Sequence, residues 1–227
     1  MNFRSLLPAL GFGLLLSACS KDKDAGSALP SSKASFAFTL HAGNPSVALG
    51  RVQGGTLTWT AGTASANAIK FEAERGSTEV EYGSSVQQTI DLFAANTSLG
   101  SITLDSGTYR EVEFKAFLAP NGAAPALELR GSYTSNGTTT PVTFRAEEAV
   151  LLKAEKHNVT LSGATSYEAT APINLQAVAQ GISASALDNA TRTGGSILIT
   201  SSSNGTLYQA LLRNLRSLSD EAEFHHR

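Results

Sequence analysis

Charged residues and cysteines are both scarce in this chain, and each scarcity excludes a class of protein. Asp, Glu, Lys and Arg make up 16% of the 227 residues, and the formal net charge is −2. Nucleic-acid phosphates are bound by clustered Lys and Arg, so this balance argues against a nucleic-acid partner. The single cysteine, Cys19, excludes an intrachain disulfide bond.

Long hydrophobic runs are also missing. The longest, Leu6 to Leu16, has about 11 residues, whereas a membrane-spanning helix needs roughly 20. Arg4 precedes this run and the small residues Ser17 and Ala18 follow it, which is the three-part pattern of a secretory signal peptide. We therefore predict that residues 1–18 are a signal peptide and that the chain has no transmembrane helix.

The end of this leader resembles the lipobox of bacterial lipoproteins. The residues that carry the resemblance are Leu16, Ser17, Ala18 and Cys19. The resemblance implies that palmitate-type acyl chains are attached at Cys19 and that the leader is removed before it. Two or three acyl chains anchor a protein firmly, whereas one anchors it only marginally. The alternative is an ordinary secretory signal with an incidental cysteine.

The residues after Cys19 predict a destination and a tether. Ser20 resembles the default outer-membrane sorting state, and the charged segment resembles the surface-export signals of Bacteroidota lipoproteins. This segment comprises Ser20, Lys21, Asp22, Lys23 and Asp24. Residues 19–34 contain almost no bulky apolar side chains and are predicted to form a flexible tether. They cannot bury enough apolar surface to offset the conformational entropy that ordering would cost.

Residues 35–227 are predicted to form a single β-rich domain, because apolar and polar residues mostly alternate with a period of two. The alternation is clearest from Tyr109 to Leu118. The other predicted strands are centred on Phe36–Leu40, Leu57–Trp59, Ile69–Ala73, Val80–Tyr82, Ile90–Leu92, Leu99–Leu104, Leu127–Tyr133, Val142–Phe144, Val159–Leu161, Tyr167–Ile173 and Ile197–Ile199.

Turn residues between these segments favour antiparallel pairing. Pro120-Asn121-Gly122 and Asn136-Gly137 both tolerate positive φ and are predicted to join neighbouring strands. One apolar and one charged face on each strand are typical of two sheets packed face to face. We therefore predict a mainly β fold, an antiparallel β-sandwich of the immunoglobulin or prealbumin type, with a short α/β C-terminal part.

A short motif, Leu104-x-x-Gly107-x-Tyr109, resembles the corner of prealbumin-like and related surface β-sandwiches. The resemblance implies that the tyrosine ring is packed and that its hydroxyl bonds to nearby backbone. As a whole the chain resembles the uncharacterised β-sandwich lipoproteins of Bacteroidota, which implies a fold and a location but no reaction.

The C-terminal part predicts two helices. Residues 183–190 form a candidate short helix, and leucines recur at helical spacing over about 204–218, where Asn204 or Thr206 is the candidate cap. This amphipathic helix is predicted to close one end of the sandwich; the alternative is that its leucine face docks another protein. The tail from Asp220 to Arg227 is predicted to fray.

No catalytic or metal constellation emerges from the residue spacing. His41 and His157 stand alone, and no zinc-binding spacing exists. The carboxylate pairs Glu72/Glu74 and Glu111/Glu113 are of the type used in glycoside hydrolysis, but they lie on predicted exposed faces among basic residues. We expect the acidic residues on these faces to be cross-strand partners of Lys70, Lys115 and Arg130; calcium ligation is the alternative. No cofactor or metal is predicted.

Three residues are candidates for ligand binding. Trp59 is a candidate platform for a sugar ring, although its shared face with Leu57 favours burial. Ser203 and Asn204 precede the last helix, where free N–H groups can hold an anion or sugar; a simple helix cap is the alternative.

The sequence thus predicts a non-catalytic cell-envelope lipoprotein, attached to the outer membrane by lipid and exposed to the periplasm or the cell surface. It would bind a glycan or another envelope or adhesin protein. The alternatives are a hydrolase that acts on polysaccharide and a structural subunit of an outer-membrane complex.

Overall fold

The computed structural model describes residues 32–50, 54–95, 97–221 and 223–226. The strands in these residues are β1 (Lys33–Gly43), β2 (Ser46–Leu49), β3 (Gly55–Arg75), β4 (Thr78–Asp91), β5 (Ser98–Asp105), β6 (Gly107–Leu118), β7 (Leu127–Ser135), β8 (Thr138–Ala146), β9 (Val150–Leu161), β10 (Ser166–Asn174), β11 (Arg192–Thr193), β12 (Ser196–Ile199), β13 (Ser219–Glu221) and β14 (Glu223–His226). The helices are α1 (Leu175–Val178), α2 (Ala184–Asp188) and α3 (Gly205–Arg216). The predicted mainly β fold with a C-terminal helix is confirmed.

The smaller of two sheets has the strand order β14-β10-β1-β5. Phe36, Phe38 and Leu40 of β1 lie on one face of this sheet and are buried, so that face is apolar. The pairing of β1 with β10 is parallel, while β5 and β14 run antiparallel to their neighbours.

The larger sheet is organised by β3, which is 21 residues long. One edge of β3 pairs first with β2 and then with β4, and the other pairs first with β7 and then with β6. The partner on this second edge changes at Ser65. Its N–H donates to Ala126 O at 2.9 Å, and its own carbonyl accepts from Ala119 N at 3.1 Å.

Pairing in the larger sheet is mixed, whereas the sequence predicted antiparallel pairing throughout. Its order is β11-β12-β8-β7-β3-β6-β9-β13, and β12 and β13 run parallel to β8 and β9. Each parallel pair is joined by a long connection that contains other elements, which allows the chain to return in the same direction. Alternation reports which face is buried but carries no information about the direction of a neighbouring strand.

Aromatic side chains connect the two sheets. The ring of Phe38 in β1 stacks on that of Phe114 in β6 with centroids 4.9 Å apart, and it also lies 5.1 Å from the ring of Phe71 in β3. Phe36 contacts Phe71 as well, at 6.2 Å. These residues belong to one continuous hydrophobic core.

The two predicted turns had different outcomes. Asn136 and Gly137, with φ of 49° and 74°, form the tight turn between the paired strands β7 and β8, so that prediction is confirmed. Pro120-Asn121-Gly122 connects β6 to β7, but these strands both pair with β3. The prediction that it joins paired neighbours is therefore wrong, because β3 is long enough to hold both strands end to end.

The C-terminal part departs from the sequence prediction in two respects. The leucine face of α3, which includes Leu207, Leu211 and Leu215, is buried in the core, so it offers no docking surface. The helix ends at Arg216, and the tail is not frayed: β13 pairs with β9 and β14 pairs with β10. The short helix predicted within residues 183–190 is present as α2.

Candidate functional site

A paired irregularity in β3 and β4 shapes the most distinctive surface feature. Between Ala66 and Ala68 the register shifts against both neighbours of β3: Asn67 is an extra residue relative to β6, whereas Val86 and Gln87 of β4 both lie opposite it. Gln87 has a positive φ of 44°. Non-glycine residues adopt this backbone conformation rarely. Bulges bend a strand and redirect its side chains, and they are over-represented next to functional sites.

The bulge opens a cleft of about 220 Å³, here called the amide cleft. It lies between the bulge and the loop that follows β6. Its lining residues are Ser65, Ala66, Asn67, Gln87, Gln88, Ala119, Pro120 and Asn121. Four of these side chains are amides and none is charged, so the cleft offers neutral donors and acceptors together.

Three of the four amides are not engaged elsewhere in the fold. Gln88 Nε2 donates to Ser98 O at 3.1 Å, which fixes that side chain. Asn67, Gln87 and Asn121 make no side-chain hydrogen bond to any other residue that the structure describes. Each primary amide carries two N–H donors and one acceptor oxygen. Their hydrogen-bonding capacity is therefore available to a ligand.

Two large apolar side chains are exposed on the larger sheet, one of them near the cleft residues in the chain. Phe117 in β6 is 39% exposed and precedes the cleft residue Ala119 by two positions. Leu151 in β9 lies directly opposite Phe117 and is 44% exposed. Among the residues whose side-chain exposure the structure describes, these are the only large hydrophobic side chains with such exposure. Together they form an exposed apolar pair, although neither residue lines the cleft.

Next to the apolar pair, like charges are aligned across neighbouring strands. Lys70, Lys115 and Lys153 lie opposite one another in β3, β6 and β9, and we call them the lysine row. The parallel glutamate row contains Glu81, Glu72, Glu113 and Glu155 in β4, β3, β6 and β9. Like charges directly opposite each other destabilise a sheet. The two rows are therefore compatible with a stable sheet only if lysines of one row contact glutamates of the other.

The lysine and glutamate rows neutralise each other through diagonal and neighbouring pairs. Lys115 Nζ lies 2.8 Å from Glu72 Oε2 and also contacts Glu113, whose carboxylate is buried. Lys153 contacts Glu113 and lies 2.7 Å from Glu155 Oε2. The predicted cross-strand pairing is confirmed for Lys115 with Glu72 and for Lys70 with Glu81, whereas Arg130 pairs with Glu128 of its own strand.

These contacts shift the pKa values of residues in both rows. Hydrogen bonds from Lys115 and Lys70 lower the pKa of Glu72 to about 2, against the opposing effect of burial. A hydrogen bond from Lys153 lowers the pKa of Glu155 in the same way. Hydrogen bonds to Glu113 and Glu155 raise the pKa of Lys153 above its usual value. Glu72, Glu155 and Lys153 are therefore charged near neutral pH.

The carboxylate pairs considered for hydrolysis are largely held by cations. Glu72 contacts Lys70 and Lys115, Glu74 contacts Arg110, and Glu113 contacts Lys115 and Lys153. A general acid needs a raised pKa, whereas the pKa of Glu72 is lowered. No carboxylate is among the residues that line the amide cleft.

Trp59 does not form a surface platform. Its side chain is 1% exposed, so a sugar ring cannot stack on it. The alternation with Leu57 correctly favoured burial over binding. Its indole Nε1 has no hydrogen-bond partner among the described residues, which makes it a buried unpaired donor.

Ser203 and Asn204 have structural roles that argue against an anion site before α3. Asn204 occupies the N-cap position, but its side chain makes no cap hydrogen bond; Nδ2 donates instead to Leu198 O at 2.7 Å and Thr191 O at 3.0 Å. Ser203 N–H donates to Thr200 Oγ1 at 3.0 Å. The neighbouring Ser201 N–H is already bound to the carboxylate of Glu147, and this negative charge would repel a second anion.

The residues predicted for export and anchoring lie outside the described part of the chain. They are Leu16, Ser17, Ala18, Cys19, Ser20, Lys21, Asp22, Lys23 and Asp24. Among the residues that the structure does describe, none of the helices has the length and apolar character needed to cross a bilayer.

The cleft residues were missed by the sequence prediction. Asn67, Gln87 and Asn121 are far apart in the chain, and no spacing rule connects them. The only local signal is the small and polar run Ala64–Asn67, which interrupts the alternation of β3 and is typical of a bulge. Comparison of the chain with known proteins found no matching family model, no similar curated protein and no similar solved structure.

Proposed function

We propose that this protein is a non-catalytic module of the bacterial cell envelope that binds a neutral glycan in the amide cleft. The supporting observation is the convergence of Asn67, Gln87 and Asn121, whose side chains have no other described hydrogen-bond partner, around one concave space. Sugar hydroxyls donate and accept hydrogen bonds, and primary amides satisfy both functions without a charge. Uncharged lining residues favour a neutral sugar over an acidic one.

Phe117 supports the same ligand class. Binding sites usually combine a few polar groups that orient the ligand with apolar surface that is removed from water. The ring of Phe117, two positions before the cleft residue Ala119, is partly exposed, so it offers an apolar surface to the C–H face of a sugar.

The location and the arrangement of the sheets belong to this proposal. Lipid on Cys19 would hold the chain on the outer membrane, facing the periplasm or the cell surface, and β1 begins at Lys33, after the predicted tether. The contacts of Phe36 and Phe38 with Phe71 and Phe114 support a β-sandwich of the immunoglobulin or prealbumin type. The lipobox resemblance supports the anchor.

The test is a glycan screen followed by titration. Full-length protein in detergent is applied to an array of neutral and acidic oligosaccharides, and the strongest neutral ligand is titrated calorimetrically. We expect Asn67→Ala and Asn121→Ala each to weaken binding about tenfold, because each removes hydrogen bonds worth about 1 kcal/mol or slightly more. Gln209→Ala, an exposed amide on α3, is the matched control and should leave the affinity unchanged.

Two results would refute the glycan proposal: no neutral oligosaccharide retained above background, or an affinity that neither amide variant changes. Cleavage of the oligosaccharide during incubation would indicate the polysaccharide hydrolase instead.

A second candidate function is contact with another envelope or adhesin protein, including a structural role in an outer-membrane complex. The exposed pair of Phe117 and Leu151 favours it, because adjacent large apolar side chains on a surface often mark a protein contact. The lysine row beside the pair is already neutralised by the glutamate row, so the surface next to the pair carries no uncompensated positive charge.

A further inference from the structure

A histidine and two glutamates converge at the end of the charged surface furthest from the amide cleft. Glu111 in β6 lies opposite His157 in β9, and Glu155 precedes His157 by two positions on the same face. His157 Nε2 lies 2.8 Å from Glu155 Oε1, and His157 Nδ1 lies 3.9 Å from Glu111 Oε2. One ligand atom from each of the three side chains lies within 4.8 Å of the other two.

We propose that Glu111, Glu155 and His157 form a binding site for a divalent transition-metal ion such as Zn²⁺. Zinc is bound by imidazole nitrogen and carboxylate oxygen at about 2.0–2.2 Å, which brings its ligand atoms to roughly 3 Å from one another. The His157 side chain is 60% exposed, so little packing opposes the rotation that ion binding would require.

The contacts of each carboxylate leave an oxygen for the ion. Glu155 uses Oε2 for Lys153, at 2.7 Å, and turns Oε1 toward His157. Glu111 has no ion pair with a lysine among the described residues and turns Oε2 toward His157. The lysine that neutralises Glu155 therefore does not occupy the oxygen that faces the proposed site.

The imidazole of His157 favours a transition-metal ion over calcium or magnesium. Calcium and magnesium prefer oxygen ligands only, whereas a site with one imidazole and carboxylates suits zinc, copper or nickel. The other group of acids in the described residues, Glu72, Glu79 and Glu81, offers only carboxylates, and Glu72 is held by Lys70 and Lys115. Three protein ligands would leave the remaining coordination positions to water.

The pairing of strands explains why the site escapes sequence analysis. His157 and Glu155 are close in the chain, but Glu111 is supplied by β6 through the register of its pairing with β9. His157 therefore stands alone by every spacing rule for metal ligands and gains its partners only when the sheet forms.

The test is calorimetric titration of ZnCl₂ into the full-length protein in detergent, purified without a histidine tag and stripped with EDTA. We expect one saturable site. His157→Gln and Glu111→Gln should each weaken zinc binding at least about tenfold, equal to about 1.4 kcal/mol. CaCl₂ should give no comparable heat, and circular dichroism should show that both variants remain folded.

Two controls separate this site from the other histidines of the chain. His41→Gln removes an exposed histidine on β1 and should leave zinc binding unchanged. A double variant, His225→Gln with His226→Gln, should also retain the site. The proposal is overturned if zinc gives no saturable binding, if His157→Gln binds as tightly as the parent, or if binding is lost only in the double variant. None of these outcomes bears on the glycan proposal, because the amide cleft shares no residue with this cluster.

Discussion

The hydroxyl group of Tyr109 stabilises the turn between two strands. Its ring is buried where β5 turns into β6, and its hydroxyl donates to Asp105 O at 2.9 Å. Gly107 between them has a φ of 144°, which side chains disfavour and glycine tolerates. The role that the Leu104-x-x-Gly107-x-Tyr109 motif implied for the tyrosine is confirmed.

Tyr109→Phe should therefore lower the free energy of unfolding by about 1 kcal/mol, because it removes this hydrogen bond and leaves the ring in place. Tyr82→Phe is the matched control: Tyr82 is half-buried and its hydroxyl has no hydrogen-bond partner among the described residues. Tyr82→Phe should leave the free energy of unfolding nearly unchanged. Urea denaturation of both variants measures the difference, and equal stabilities would show that the hydroxyl of Tyr109 contributes nothing to the corner.

At the scale of elements, the charged rows make the stability of β3, β6 and β9 dependent on pH. Glu72 is the centre of this dependence, since it is bound by Lys115 and Lys70 and its pKa is lowered to about 2. In the unfolded chain the same carboxyl titrates near 4.3. The stabilisation is thus complete above the unfolded pKa and is lost as the pH falls through the folded pKa.

Glu72→Gln should lower the free energy of unfolding by about 2 kcal/mol at pH 7, because the lysines lose a charged acceptor. The difference from the parent should shrink as the pH falls from about 4.5 to 2, as the linkage requires. Glu79→Gln, an exposed acid without a lysine partner among the described residues, serves as the control. Urea unfolding curves measured over this pH range would contradict the assignment if the difference stayed constant.

The strands β3 and β9 show what the alternation of apolar and polar residues fails to predict at the scale of elements. The sequence predicts separate strands at Leu57–Trp59 and Ile69–Ala73, whereas both belong to β3. The small residues between them carry no clear pattern, so only pairing with β4 and β7 reveals the continuity. The first part of β9 was also missed, because the exposed Leu151 between Val150 and Leu152 conceals the alternation.

At the scale of the whole molecule, the proposed function depends on where the β-rich body is displayed. Two or more acyl chains on Cys19 would keep it at the membrane, whereas a single chain binds only reversibly. The amide cleft and the cluster of Glu111, Glu155 and His157 lie within residues 65–157, and the proposed anchor is at residue 19.

Cys19→Ala should abolish incorporation of radiolabelled palmitate and move the protein from the membrane fraction to the soluble fraction of its bacterial host. The thiol is the acceptor of the lipid, and alanine offers none. Ser20→Ala is the control, since it leaves the thiol intact and should retain both the label and the membrane association. Membrane retention of the Cys19 variant would disprove attachment through this residue.

The sequence by itself determined which residues are buried and what kind of structure they form. The period of two placed Phe114, Tyr133 and Trp59 in the interior, and the leucine spacing located α3, because burial on one face of a strand or helix leaves a local pattern. The surface acids and lysines were expected to pair, and they do.

Only the tertiary structure decided which distant residues meet. The amide cleft brings together Asn67, Gln87 and Asn121 through bulges, and the register of β6 with β9 places Glu111 opposite His157. A register is set by the packing of whole strands against one another, and a shift of one residue would turn each side chain to the other face. No local pattern contains that information, so both sites become visible only in the assembled sheet.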